Sequence, residues 1–385
     1  MLRSLYSGIS GLRSHQTMLD VTGNNIANVN TIGFKAGSVQ FQDTLSQIVQ
    51  NSRGAQDGAG GTNPAQVGLG TQVAGIRTNF TQGAPQATGV ATDLMIAGDG
   101  FFVVRTGAET MYTRNGGFSF DTAGRMVTVD GALVQGWTAV DGQVATGGPV
   151  GDITLPVSAT SPARATTSAE VTGNLPSDAA LDTELVRDIT VYAGDGATRQ
   201  LTLTFTRTGD GWDVTDGTTT TSLEFTEGEL TGPASIVSDG VAVDLSAVTG
   251  FADLRTVAIT DQDGLAPGTL VSYTISADGA LLGTFSNGAS EVLAQVALAS
   301  FDNPEGLEKA GSSQYRAGAN SGEAALGTPG GDGFGELVSG ALEMSNVDLS
   351  QEFTNLIVAQ RGFQANARII TTSDEVLQEL TNLKR

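Results

Sequence analysis

Two heptad patterns, one at each end of the chain, constrain the fold more than any other feature. Leu2, Leu5, Ile9, Leu12, Gln16, Leu19, Gly23 and Ile26 step by alternating three and four residues. Leu349, Phe353, Leu356, Gln360, Phe363, Ala367 and Ile370 do the same, with Leu377 one heptad further on. This spacing holds one row of side chains on one side of an α-helix, as the a and d positions of a coiled coil do. Seams so far apart in sequence predict that the ends meet each other and also other copies of the chain. The competing reading is an intramolecular helix pair covering one core, but the seams exceed what a chain of this size needs for that. Gln16 and Gln360 interrupt the rows and either fix register or lie near solvent.

Between the seams the chain reads as β-structure. At 385 residues it is too long for one core and divides into two or three domains. The 52 glycines and a charged fraction of only 16% suit short strands joined by tight turns. Eleven Asp-Gly dipeptides occur, among them Asp99-Gly100, Asp130-Gly131 and Asp141-Gly142. With Asn115-Gly116 they suit the left-handed backbone of hairpin turns. The absence of cysteine excludes disulfides, thiolate metal sites and a cysteine nucleophile. The one histidine, His15, falls on a polar helix face and reads as a surface residue. Asp261-Gln262-Asp263-Gly264 lacks the other ligands of a calcium loop and reads as a turn. No catalytic residue, metal site or cofactor site is expected.

The net charge of −22 falls wholly on residues 54–340, because the charges of residues 1–53 and 341–385 cancel. Near-neutral ends pack without repulsion, while an acidic middle argues against nucleic acid and anionic membranes as partners. Arg3, Ser4, Ser7, Gly8, Ser10, Arg13 and His15 interrupt the apolar run that a secretory signal needs. The chain is therefore expected to be cytosolic or exported by a route that reads no cleaved signal.

Residues 2–28 read as one helix, punctuated by Asn24, Asn25, Asn28 and Asn30 and closed near Gly33. The asparagines are expected to satisfy backbone groups where the helix stops. Residues 36–50 read as a short second amphipathic piece and 51–72 as an irregular linker. From about residue 73 the period becomes two, with strands at Val73 to Phe80, Leu94 to Ile96, Phe101 to Arg105 and Met111 to Thr113. Further on, Leu201, Leu203 and Phe205 alternate with threonines, and Val271, Tyr273 and Ile275 with Ser272, Thr274 and Ser276. The last helix is placed from Ser345, which has capping-box spacing with Asp348. The expected class is multi-domain α+β. Residues 1–72 and 341–385 form a coiled-coil assembly domain with a linker. Residues 73–152 and 287–340 form an inner β-domain, and 153–286 an outer β-domain inserted into it.

The segment Leu19-Asp20-Val21-Thr22-Gly23-Asn24-Asn25-Ile26-Ala27-Asn28-Val29-Asn30-Thr31-Ile32-Gly33-Phe34-Lys35 closely resembles the N-terminal signature of bacterial flagellar axial proteins, the family of rod, hook and hook-associated subunits. Leu342-Glu343-Met344-Ser345-Asn346-Val347-Asp348-Leu349 and Gln360-Arg361-Gly362-Phe363 resemble the family's C-terminal partner. Gly98-Asp99-Gly100-Phe101-Phe102 and Tyr112-Thr113-Arg114-Asn115-Gly116 resemble the start of its β-domain. Inserted residues 155–285, together with Phe301-Asp302-Asn303-Pro304-Glu305-Gly306-Leu307, favour the hook branch.

That resemblance implies a structural, non-enzymatic subunit that self-assembles into a flexible tube transmitting torque, with no cofactor. It implies a helical homopolymer as the first partner, then a distal rod protein, a hook cap, a hook–filament junction protein and an export apparatus. The location implied is extracellular, in the flagellum. Assembly residues would be the seam positions; motif residues would be Asn24, Asn25, Asn28, Asn30, Gly33, Phe34, Asn346, Asp348, Gln360 and Arg361. A distal rod subunit remains open, as does a secreted β-rich carbohydrate-binding protein. Isolated monomers are expected to have disordered ends, since a lone amphipathic helix is marginal in water.

Overall fold

The computed structural model describes residues 2–54, 57, 60–140, 142–156 and 160–382; Asp141, Lys384 and Arg385 lie outside them. Two compact units emerge. The first comprises residues 1–155, 274–281 and 292–385, and the second 156–273 and 282–291.

The first unit begins with α1 (Leu2–Ala27) and ends with α2 (Leu349–Asn382). After α1 the chain runs out and back as a long two-stranded ribbon. Strand β1 (Gly37–Asp43) pairs antiparallel with β4 (Thr71–Thr78), and β2 (Ser46–Gln50) with β3 (Ala65–Gly68). The expected amphipathic piece at 36–50 is therefore corrected to strands, and the linker at 51–72 is corrected in part, at residues 65–68 and 71–72. The reason is legible in β1, where Val39 and Phe41 alternate with Ser38, Gln40 and Gln42, a period-two pattern that a helix cannot use. The strand expected from Val73 likewise belongs to this ribbon and not to the β-domain.

The β-core of this unit runs in the strand order 290–296, 133–140, 101–106, 109–113, 314–316, 308–311. Phe101, Val103, Tyr112, Trp137, Phe301 and Tyr315 fill one side of it. Edge-to-face contacts link Phe101 to Phe80, Phe301 and Tyr315 at centroid distances of 5.4, 5.9 and 6.0 Å. Asn115-Gly116 is not a left-handed turn. Gly116 is needed because any Cβ there would collide with the Leu94 carbonyl, whose strand packs against it.

The second unit packs a five-stranded antiparallel meander (184–192, 198–207, 211–215, 220–226, 229–230) on a four-stranded sheet. In that sheet Ser168–Asn174 lies between Val241–Thr249, parallel, and Ala258–Gln262, antiparallel. Leu201, Leu203, Phe205, Trp212 and Leu245 are fully inside, and the alternating threonines face out. The other alternating strand departs from expectation, since Val271 is exposed and only Ile275 is buried. Asp263 does form part of a loop. Its carboxylate accepts from Thr167 N and Oγ1 and from Ser168 N, and the hydroxyl and amide donors hold its pKa well below the usual carboxylate range against the opposing effect of burial.

Asn174 closes this unit. Its Nδ2 donates to the carbonyls of Phe251 and Leu254, both at 2.8 Å, while Oδ1 accepts from Thr249 Oγ1 and Phe251 N. Asn174→Ala is expected to destabilise the second unit by roughly 2–4 kcal/mol, because buried backbone groups lose their partners together. Urea unfolding of the purified chain would check this.

Candidate assembly site

The two terminal helices lie antiparallel. Gly8 stands opposite Ile370, Gly11 opposite Asn366, and His15 opposite Gly362. Glycine sets this closeness, since a Cβ at Gly11 would come within 2.7 Å of the Asn366 carboxamide and one at Gly362 within 2.5 Å of the His15 ring. Short side chains at a helix crossing bring the axes together. His15 is thus corrected from a surface residue to an interface residue, its Nδ1 buried and unpartnered and its ring 6.0 Å from Phe41.

The buried row on α1 is Gly8, Gly11, Ser14, Thr22 and Asn25, and on α2 Glu352, Ala359 and Ser373. Leu5, Leu12, Leu19 and Ile26 flank it on α1, half-buried, as do Leu356, Phe363, Ile370 and Leu377 on α2. Leu2 begins α1, but its side chain lies outside the described residues. Gln16, Gln360 and Arg361 are exposed. Ala367 is half-buried, and Ile9, Gly23, Leu349 and Phe353 fall on the uncovered side. Leu349 is 40% exposed, Phe353 51% and Ile9 38%, and Ile357 at 49% extends the α2 stripe one turn beyond Phe353. Four-residue spacing places Leu349, Phe353 and Ile357 in one line.

Behind the helices lies a junction built from the motif segments. Asn28 caps the end of α1, its Nδ2 donating to the Asn24 carbonyl at 2.9 Å. Asn25 is buried and holds the root of the ribbon, accepting from Gly37 N and donating to Gly37 O, and it reaches Glu352 Oε1 at 3.1 Å. Gly33 turns the chain with φ of 66° and donates its N–H to the Glu343 carbonyl. Asn346 bonds Ala36 N, Asn79 O and Thr81 O. With Asn346 so held, α2 starts at Leu349 and not Ser345, and Asp348 is the N-cap, accepting from Ser350 N at 2.8 Å. Asn30 is exposed and Phe34 half-buried, with the Lys309 ammonium 5.1 Å from the ring centre.

Three charged residues that the sequence did not single out as a site meet at the centre. Lys35 Nζ lies 2.6 Å from Glu343 Oε1, both side chains wholly excluded from solvent, and Arg114 Nη1 lies 3.6 Å from Glu343 Oε2. Glu343 Oε1 also accepts from Gly83 N, and Lys35 Nζ donates to the Thr81 carbonyl. The Arg114 guanidinium sits 5.2 Å over the Phe101 ring. Burial pulls the Lys35 ammonium and the Arg114 guanidinium below their usual pKa values, and the Glu343 charge partly opposes that. Burial pushes the Tyr315 hydroxyl up. Two cations thus face one carboxylate in a dry interior, where loss of the carboxylate would leave buried charge uncompensated. A charge set inside apolar motif runs, as in Leu342-Glu343-Met344, is the sequence signal that could have revealed it.

Among the described residues, no group of three or more His, Asp or Glu side chains is placed to hold a metal ion, and no helix is long and apolar enough to cross a membrane.

Comparison with known proteins places Lys35, Arg114 and Glu343 in three separate family segments. Residues 5–35 match the family described as Flagella basal body rod protein, 95–170 the Flagellar hook protein FlgE/F/G D1 domain, and 338–383 the Flagellar basal body rod FlgEFG protein C-terminal. The chain is similar over its full length to the flagellar hook proteins FlgE of Borreliella burgdorferi, at 39% identity, and Treponema pallidum, at 37%, covering 100% of each. It is also 37% identical to the flagellar basal-body rod protein FlgG of Bacillus subtilis, again covering 100% of both chains.

Proposed function

The chain belongs to the flagellar rod and hook protein family as a structural subunit of the bacterial hook, and from that premise we propose that it polymerises through the uncovered side of its helix pair. One observation carries this reading. The Leu349, Phe353 and Ile357 stripe stays in water although the opposite side of the same helix is packed against α1. A second copy supplies the missing cover, and the seam residues Leu5, Leu12, Leu356, Phe363, Ile370 and Leu377 brace the pair from the flanks. Until neighbours dock, the ends of an isolated monomer fray.

The family is structural and not enzymatic. The tube acts as a bendable joint that passes torque from rod to filament, with a distal rod protein below, a cap during growth and a junction protein above. Export proceeds without a cleaved signal. Bending requires that contacts made by the second unit be polar and modest in area while the helix seam stays tight. Electron microscopy of the purified chain under polymerising conditions is expected to show hollow, curved tubes; a stable, non-polymerising monomer would overturn the reading. Straight, rigid tubes would instead support a distal rod subunit, the second reading, which the similarity to the Bacillus subtilis rod protein favours.

A further inference from the structure

A pocket of about 540 Å³ opens beside the end of α1. Asn30, Phe34, Val129, Lys309, Ser312 and Tyr315 are among its lining residues. Its wall is mainly apolar, and Val129 stands 86% exposed. Lys309 supplies the one cation of the lining. Among the described residues no carboxylate pairs with it. Its Nζ has only the Phe34 ring and the Lys35 carbonyl, at 3.4 Å. Asp130 also lines the pocket but lies beyond ion-pair distance of the ammonium. The pocket wall includes Ser312 and Ser313 in succession at φ of 48° and 57°, a strained backbone for residues other than glycine.

We propose that this pocket receives an acidic side chain, with an apolar neighbour, from a second copy of the chain. The inference rests on the self-assembly reading above and adds to it a specific contact. Charge complementarity selects the occupant. The chain carries 41 acidic against 19 basic side chains, so an identical molecule presents a predominantly carboxylate surface to an unpaired ammonium. The pocket opens where α1 ends, beside the terminal helix pair. An ammonium partly stripped of water gains more from a carboxylate than one in bulk solvent. This gives Asn30 and Phe34 a role that the internal packing leaves open.

The test compares polymerisation of the full chain with that of Lys309→Met, Lys309→Arg and Val129→Asp, each first shown to keep the monomer's near-UV circular dichroism. Lys309→Met is expected to raise the critical concentration about tenfold or more, the scale of one charge-assisted bond. It should also flatten the salt dependence of assembly. Lys309→Arg should stay close to the parent, and Val129→Asp should fail as Lys309→Met does. Parental polymerisation by both Lys309→Met and Val129→Asp would overturn the proposal while leaving the tube intact. If succinate raises the melting temperature of the parent monomer but not of Lys309→Met, and both polymerise alike, the pocket takes a small carboxylate and the second-copy assignment falls. A parent chain that never polymerises would overturn the underlying reading, and this inference with it.

Discussion

Phe353→Asp should abolish polymerisation and leave the β-structure of both units folded. Phe353 is half in water in the monomer, in line with Leu349 and Ile357 and away from the face that meets α1. Its replacement therefore removes little from the chain's own packing. Between copies the balance differs. Each docked phenyl ring contributes about 1.5–3 kcal/mol by leaving water, and an unpaired carboxylate in its place opposes docking by several kcal/mol. The loss recurs at every subunit of a polymer. An aspartate near the start of α2 does not oppose the helix dipole, so helix formation is not the step that suffers. Leu356→Asp or Phe363→Asp would also block assembly, but these residues are half-buried beside α1 and their variants would loosen the helix pair itself. Sedimentation and electron microscopy of Phe353→Asp decide the matter. Normal tubes from this variant would refute the assembly face.

Glu343→Gln should be the most damaging single change inside the first unit, at about 3–5 kcal/mol, the cost of breaking a buried ion pair by removing one partner. The variant keeps the shape of the side chain but leaves Lys35 and Arg114 as two buried cations with no anion between them. The neutral carboxamide can still meet the Gly83 amide, so the loss reports on charge and not on that contact. The second unit has its own core around Trp212, Leu203 and Leu245 and should be unaffected. Hydrogen exchange separates the two, because it reads stability segment by segment. Amides of residues 33–37, 81–83 and 341–346 should lose protection while those near Trp212 keep theirs. Unchanged exchange at the first group would mean that the three charges do not stabilise the junction.

The helices and their meeting were legible in the sequence because heptad spacing is a local signal. The face they present to each other was legible only in part. Hydropathy marks Leu349 and Phe353 as seam residues, yet α2 turns Glu352, Ala359 and Ser373 inward, and Glu352 is held there by the buried Asn25 of α1. A stripe of large apolar residues then signals contact with another molecule as readily as contact with the same one. The alternation along Leu201–Thr206 was read correctly, while that along Val271–Ser276 was not, because Val271 is exposed. The triad was not, because Lys35, Arg114 and Glu343 are distant in sequence and only tertiary structure brings them together. The ribbon was missed through its composition. Gly, Gln and Asn in 51–72 suggest a linker, and the few apolar residues of 36–50 were read at helical spacing although Val39 and Phe41 alternate as in a strand.

That ribbon also has a mechanical meaning. Over most of its length both faces of β2, β3 and β4 are in water, and bulges interrupt it at Gln40/Phe41 and Ile48/Gln50. A two-stranded strip without a second layer twists readily. Deformation is taken up by small dihedral rotations spread along it, with no packed core to break. Anchored at Gly37 by Asn25, such a strip is expected to act as a leaf spring, yielding under load and returning when the load is removed.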